Sequence, residues 1–455
     1  MGPIEELLRR MERNSDDAAI IYKDKAFLYQ DLLNLKAAAD EALRDKGVAP
    51  GDVVALCGDY SPTSMAVLLS LIANRNIVVP ISIALDTGGE HYLSISDPDF
   101  IVEIDDISVN VRKAQRRSDK NKLITQLAEK STPGLVLFTS GTTGTPKAVL
   151  HDLDKLMSKF LVADKKYTTL CFLMFDHIGG VDTYFYALFS GGLAVFPSSR
   201  DPGYVCGLIE THAVEVLPVS PTFLNLVLLS GAHRESDLSS LEIITFGAEK
   251  MSDSLLARME QEFSSTRLVQ KYGITEIGSP ASKTHPEDAS LIKIGNDQVE
   301  ARVLDGILHV RAATAMLGYL NADSPFTEDG WFNTGDAAEV DGEYMRILGR
   351  ESDLINVGGE KVFPAEVESV IQELEHIAEV AVFAEENPII GQMVCARVRL
   401  ARSEDWDDVV AGLKAHCADR LEKYKVPVKV YHSEEKLHTD RYKKVAGSAP
   451  EKQDI

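Results

Sequence analysis

The densest chemistry in the chain lies at Thr139-Ser140-Gly141-Thr142-Thr143-Gly144-Thr145-Pro146-Lys147. An apolar run over residues 135–140 feeds a loop of hydroxyl residues and glycines, and one lysine closes it. Glycines let backbone N–H groups converge on an anion, hydroxyls add donors, and the lysine adds charge. A polyphosphate needs that combination. The loop is not a Walker A loop, which requires Gly-Lys-Ser/Thr, because Pro146 precedes the lysine and Ala148 follows it. The segment is too dense and ordered for a plain surface turn.

This segment resembles the phosphate loop of the acyl-adenylate-forming (AMP-binding) superfamily. That superfamily includes acyl- and aryl-CoA ligases, adenylation domains of peptide synthetases and firefly luciferase. Further motifs follow in the family's order, so the resemblance covers nearly the whole chain and is strongest to acyl- and aryl-CoA ligases. It implies that Thr139, Ser140, Gly141, Thr142, Thr143, Gly144 and Lys147 hold ATP. Tyr272-Gly273-Ile274-Thr275-Glu276 matches a second motif. The match implies Tyr272 beside the adenine, Thr275 at the α-phosphate and Glu276 on Mg²⁺. The chemistry agrees, since a flat ring stacks on a base and a carboxylate binds a hard cation that bridges phosphates. By the same resemblance, Gly247-Ala248-Glu249 lies along the adenine and the acyl pocket through its backbone. Trp331-Phe332-Asn333-Thr334-Gly335-Asp336 resembles the family's WxxTGD motif. Asp336 would accept hydrogen bonds from both ribose hydroxyls, for which one ionised carboxylate has the acceptor sites. Arg350, in Leu348-Gly349-Arg350, would contact ribose or phosphate at the end of the large domain.

The C-terminal motifs depart further from the family pattern. The family's hinge residue falls two positions after the arginine, which here is Ser352, with Asp353 next. The hinge is therefore expected at one of these two. Val357-Gly358-Gly359-Glu360 resembles the loop that lines the pantetheine tunnel in CoA ligases, where two glycines let backbone pass close to a narrow thiol arm. The final loop, P-x-T-x-x-G-K in the family, reads Leu437-His438-Thr439-Asp440-Arg441-Tyr442-Lys443-Lys444-Val445 here. Alignment on Leu437 and Val445 puts Lys444 in the catalytic lysine's place, with Lys443 as its rival. His177 matches a position that gates the acyl pocket, and Gly180, Tyr184, Gly247, Gly273 and Gly278 are expected to line it. Asp176 falls one residue before the gate, which argues against an amino-acid substrate. His151, Asp152 and His212 receive no role.

A carboxylic acid is already ionised at neutral pH, so its attack needs no general base. The difficulty is bringing two anions together. The resemblance implies that ATP and Mg²⁺ convert a small-molecule carboxylic acid to an acyl-adenylate, and that coenzyme A then takes the acyl group as a thioester. A stand-alone adenylation enzyme that loads a separate carrier protein in trans is the alternative. A nucleotide-binding homologue with impaired catalysis is the non-enzymatic one.

Elements must hold these residues in place. Apolar runs at 52–59, 135–140, 168–174, 192–197, 214–220 and 241–248 alternate with helical patterns such as 61–73 and 220–231. That alternation predicts an α/β fold of helix-covered parallel or mixed β-sheets. After about residue 290 the texture becomes β-rich, with a hairpin signal at Asp305-Gly306. Pro364 suits a helix start. The expected organisation is a large N-terminal adenylate-forming domain (1–349) containing a small β-unit, a hinge (350–352) and a small mobile α+β C-terminal domain (353–455). The formal net charge of −23 argues against nucleic acid and anionic lipid as partners. The five cysteines show no metal or CxxC spacing, which suits a reducing compartment. No membrane span and no secretory h-region are evident, so a cytoplasmic location is expected. The tail GSAPEKQDI has the composition of a disordered end.

Overall fold

The computed structural model describes residues 2–82, 89–106, 108–115, 119–139, 145–439 and 442. Two seven-stranded sheets form the body of the large N-terminal part. In one, Val53–Cys57, Ile77–Ile81, Phe100–Asp105 and Gly134–Thr139 run parallel, and Lys147–Asp152 returns antiparallel beside Gly134–Thr139. In the other, Arg267–Gln270, Ile243–Phe246, Val216–Val219, Thr168–Leu170, Leu193–Phe196 and Ala18–Tyr22 are all parallel. The central strands are apolar on both faces because helices cover both. Pro62–Ala73 is buried along almost its whole length, and Pro221–Ser230 starts on a Ser220 cap. In the run at 168–174 only Thr168–Leu170 is strand. The backbone then leaves the sheet to deliver His177.

The β-rich texture is a six-stranded antiparallel sheet that begins earlier than expected, at Ser282–Thr284, and ends with Tyr344–Arg350. Its hairpin turns at Asp305 and Gly306, both at positive φ, and joins Val299–Leu304 to Ile307–Ala312. One 3-10 turn, Glu351–Asp353, separates Arg350 from Ile355, where the smaller α+β unit starts. That unit is a five-stranded sheet with the helices Pro364–Ile371 and Trp406–Arg420. It has its own core, including Ile355, Val367, Ile371, Val394, Val398 and Leu413.

All five cysteines are buried, and burial raises the Cys57 thiol to about 12. None of the helices among the described residues is long and apolar enough to cross a membrane.

Candidate active site

Thr139, the Gly247 turn and Tyr272 lie at the C-terminal ends of parallel strands, where α/β sheets place ligands, whereas Asp336 and Arg350 come from the antiparallel sheet. Thr139 ends its strand and pairs with Lys147, so residues 140–146 connect two antiparallel strands that are themselves well buried. Ser140, Gly141, Thr142, Thr143 and Gly144 lie outside the described residues. The exit of the loop is clamped. Asn321 accepts from Ala148 N and donates to Pro146 O, each at 2.9 Å. Gly318–Tyr319 adds a short strand beside Lys147–Asp152. Lys147 Nζ lies 5.1 Å from the centre of the Tyr319 ring, a cation–π contact. The Tyr319 hydroxyl donates to Glu276 Oε1 at 2.8 Å. Burial, reinforced by Glu276, raises the Tyr319 phenol, so it stays a donor. Tyr319 thus links the loop lysine to the carboxylate of the second motif.

A second cluster lies around Asp336. The buried Tyr272 hydroxyl donates to Asp336 Oδ2 at 2.6 Å, and Arg350 Nε reaches Asp336 Oδ1 at 2.8 Å. Burial raises the Asp336 carboxyl, against the pull of Arg350 and Tyr272. Asp336 and Arg350 face each other across paired antiparallel strands, which fixes their separation. Each carboxylate oxygen has a second acceptor direction beyond its protein partner.

Thr275 is buried, and its carbonyl accepts from His151 Nε2 at 2.7 Å. Burial lowers His151 to about 4, so the ring is neutral at pH 7 and its Nε2 carries the proton. The turn after Ile243–Phe246 is tight. A side chain on Gly247 would fall 2.4 Å from Lys271 O, and Ala248 adopts φ +69°. Alanine rarely takes that conformation, and it marks a backbone held by its surroundings. The Glu249 carboxylate accepts from Thr222 N at 2.8 Å, tying this turn to the helix Pro221–Ser230.

His177 caps the helix Ile178–Ser190, its Nδ1 accepting from Gly179 N at 3.1 Å. Asp176 is turned into the scaffold, where it accepts from Ser82 N. Two residues expected in the acyl pocket belong instead to the core. Tyr184 is 1% exposed against Tyr60 and Phe196, and the Gly180 carbonyl accepts from Tyr60 Oη. Helix packing claims these positions because they sit on the buried face of Ile178–Ser190.

Gly358 and Gly359, at φ +62° and +100°, form the turn between Ile355–Val357 and Glu360–Val362. Their neighbours are small-domain residues such as Asn356, Ile390 and Gln392, so the structure does not bring them to Tyr272 or Asp336. Lys443 and Lys444 lie outside the described residues.

Sequence reasoning missed Tyr319, Asn321 and His151. The Gly-Tyr-Leu-Asn run at 318–321 holds the first two, and no local pattern marks His151. The described residues contain no cluster of three or more potential metal ligands. The single carboxylate of Glu276 nonetheless suits Mg²⁺, which keeps several waters and takes its other ligands from phosphates.

The family model "AMP-binding enzyme" matches residues 7–320, and "AMP-binding enzyme C-terminal domain" matches 366–444. The indoleacetate–CoA ligase of Aromatoleum aromaticum is 28% identical over 92% of this chain and 91% of its own length. The 2-succinylbenzoate–CoA ligase of Listeria monocytogenes is 24% identical over 93% and 94%. Among solved structures, an anthranilate CoA ligase with anthranoyl-AMP superposes with a TM-score of 0.83 at 19% identity, covering 98% of this chain and 96% of that one. The o-succinylbenzoate CoA synthetase of Bacillus subtilis with its acyl-adenylate gives 0.80 at 22% identity, covering 97% and 96%. Because that family model spans more than half of its length, the chain belongs to the AMP-binding enzyme family.

Proposed function

We propose that the protein activates a carboxylic acid with ATP to an acyl-adenylate and then transfers the acyl group to the thiol of coenzyme A. The observation that carries this reading is the chain of contacts from Lys147 through Tyr319 to Glu276, beside the Tyr272–Asp336–Arg350 cluster. One group of residues suits a triphosphate and the other a ribose. The acid's carboxylate oxygen attacks the α-phosphorus and pyrophosphate leaves. The thiolate of coenzyme A then attacks the acyl carbonyl and AMP leaves. Mg²⁺ on Glu276 would supply charge neutralisation to the phosphates. In this reading Thr139, Ser140, Gly141, Thr142, Thr143, Gly144 and Lys147 cradle the phosphates, and Lys444 adds a cation to the first step. Gly247, Ala248 and Glu249 border the adenine, His177 borders the acyl pocket, and Gly358 and Gly359 serve the thiol step after the small domain turns about residues 350–352. Relatives named for indoleacetate, 2-succinylbenzoate and ferulate favour a ring-bearing acid.

A pyrophosphate-release screen over aryl, fatty and amino acids tests the reading, with coenzyme A and then a phosphopantetheinylated carrier protein as acceptors. Aryl acids with coenzyme A are expected to give product. ATP binding without pyrophosphate release from any acid would sink the proposal. Lys444→Ala should abolish acid-dependent ATP–pyrophosphate exchange and spare thiol attack on supplied acyl-adenylate. Wild-type exchange in that variant would remove Lys444 from the mechanism.

A further inference from the structure

Tyr442 stands two residues before Lys444 and reaches from the small C-terminal unit into the large one. Its ring packs 5.5 Å from Phe172 and 5.3 Å, edge-on, from Phe223. Its hydroxyl donates to Arg200 O at 2.6 Å, and its carbonyl accepts from Ser220 Oγ at 2.7 Å. Its N–H donates to Thr439 O at 2.8 Å. Both phenylalanines are fully buried in the core under the second sheet. On the other side, the His438 ring stacks on Tyr442 at 5.2 Å and 15°. His438 is paired with buried Glu379, which also holds Arg399. Burial alone would raise the Glu379 carboxyl, but His438 and Arg399 together keep it low. Tyr442 therefore bridges an ion-paired anchor on the small unit and an aromatic slot on the large one. Its φ of +53° is uncommon for a bulky side chain, so the surroundings impose it.

The slot lies next to the nucleotide motifs. Ser220 directly follows Val216–Val219, which pairs with Ile243–Phe246, the strand that leads to Gly247-Ala248-Glu249. Glu249 in turn holds Thr222 N, two residues past Ser220.

We propose that Tyr442 is a positioning residue that latches the lysine-bearing end of the chain onto the large unit for the acid-activating step. The inference rests on the activity proposed above. Two residues of chain span at most about 7 Å, so a fixed Tyr442 limits where Lys443 and Lys444 can reach without itself touching ATP. The thiol step needs the small unit turned away, and the latch must then be open. Loss of the latch therefore falls on one half-reaction.

Three measurements on Tyr442→Ala and Tyr442→Phe test this. They are acid-dependent ATP–pyrophosphate exchange, thiolysis of supplied acyl-adenylate by coenzyme A, and backbone hydrogen exchange over residues 220–223. Misplacing a catalytic group by an ångström costs roughly 100-fold, so Tyr442→Ala should lower the exchange kcat by about that factor. Thiolysis should change by less than about threefold, the mark of an interaction made in one step only. Hydrogen exchange at 220–223 should accelerate. Tyr442→Phe keeps the ring in the slot and should recover most of the exchange activity. Wild-type exchange in Tyr442→Ala, equal losses in both half-reactions, or unchanged protection at 220–223 would each overturn the latch. A wild-type protein without exchange activity would overturn the proposed function instead, and the hydrogen-exchange comparison would still decide the latch.

Discussion

His151 shows how a single residue supports a site it does not enter. It sits on the strand that starts with Lys147 and is fully buried, with its Nε2 on the carbonyl of Thr275. One ring therefore ties the phosphate-loop strand to the second motif. Burial favours the neutral ring and lowers its pKa from the ordinary 6.5 to about 4. The unfolded chain binds the proton more readily, so this group's contribution to stability is complete above pH 6.5 and is lost as pH falls towards 4. The gap between those values amounts to about 3 kcal/mol. Urea midpoints of the wild type should fall between pH 7 and pH 4.5 more steeply than those of His151→Gln, whose amide can donate the same hydrogen bond. Parallel pH dependences would remove His151 as the source. Nothing in the sequence marked this histidine, because its role comes from burial and from a partner 124 residues away.

At the scale of elements, the segment 316–321 organises the site. Met316 N donates to Glu276 O, Leu317 N to Leu150 O, and Leu320 N to Ala148 O. Its backbone thereby stitches the Glu276 turn to the Lys147 strand, and Tyr319 and Asn321 only become useful once that stitching exists. The apolar runs at 52–59 and 192–197 and the Asp305-Gly306 turn were legible as strands and hairpin because their signals are local, in periodicity and turn chemistry. The partnership of Asn321 with Pro146 and Ala148 spans more than 170 residues and leaves no local trace. The same reason hid the core positions of Gly180 and Tyr184. Their helix is apolar on several faces, so spacing alone could not say which face met the pocket. A prediction belongs to this segment. Tyr319→Phe keeps the ring beneath Lys147 and removes only the hydroxyl on Glu276. A hydrogen bond to a carboxylate contributes about 1.5–3 kcal/mol, so calorimetry should show magnesium–ATP binding weakened by about tenfold or more. Unchanged affinity would mean that Glu276 does not depend on Tyr319 for its position.

At the scale of the whole molecule, the junction between the large and small units combines hydrogen bonds with the packing of the Tyr442 ring. Among the described residues, three side chains of the large unit donate to main-chain carbonyls beyond the 351–353 turn. These are Asn225 to Ala378 at 3.1 Å, Ser254 to Ser369 at 3.2 Å, and Ser220 to Tyr442 at 2.7 Å. Each unit keeps its own apolar core, and separating them frees hydrogen-bonding groups that water can satisfy while uncovering the slot that holds the Tyr442 ring. Hydrogen bonds such as these fix the orientation in which the small unit docks. Asn225 tests the idea because it is 8% exposed yet lies outside the nucleotide motifs. In Asn225→Ala the Ala378 carbonyl loses its donor only while the units are docked, and an unsatisfied buried acceptor costs about 1–3 kcal/mol. That penalty lowers the equilibrium constant for docking by roughly tenfold. ATP–pyrophosphate exchange should fall by up to the same factor, while thiolysis of supplied acyl-adenylate holds or rises and the melting temperature barely moves. Equal slowing of both half-reactions, or a large drop in melting temperature, would show that Asn225 serves the fold rather than the orientation of the small unit.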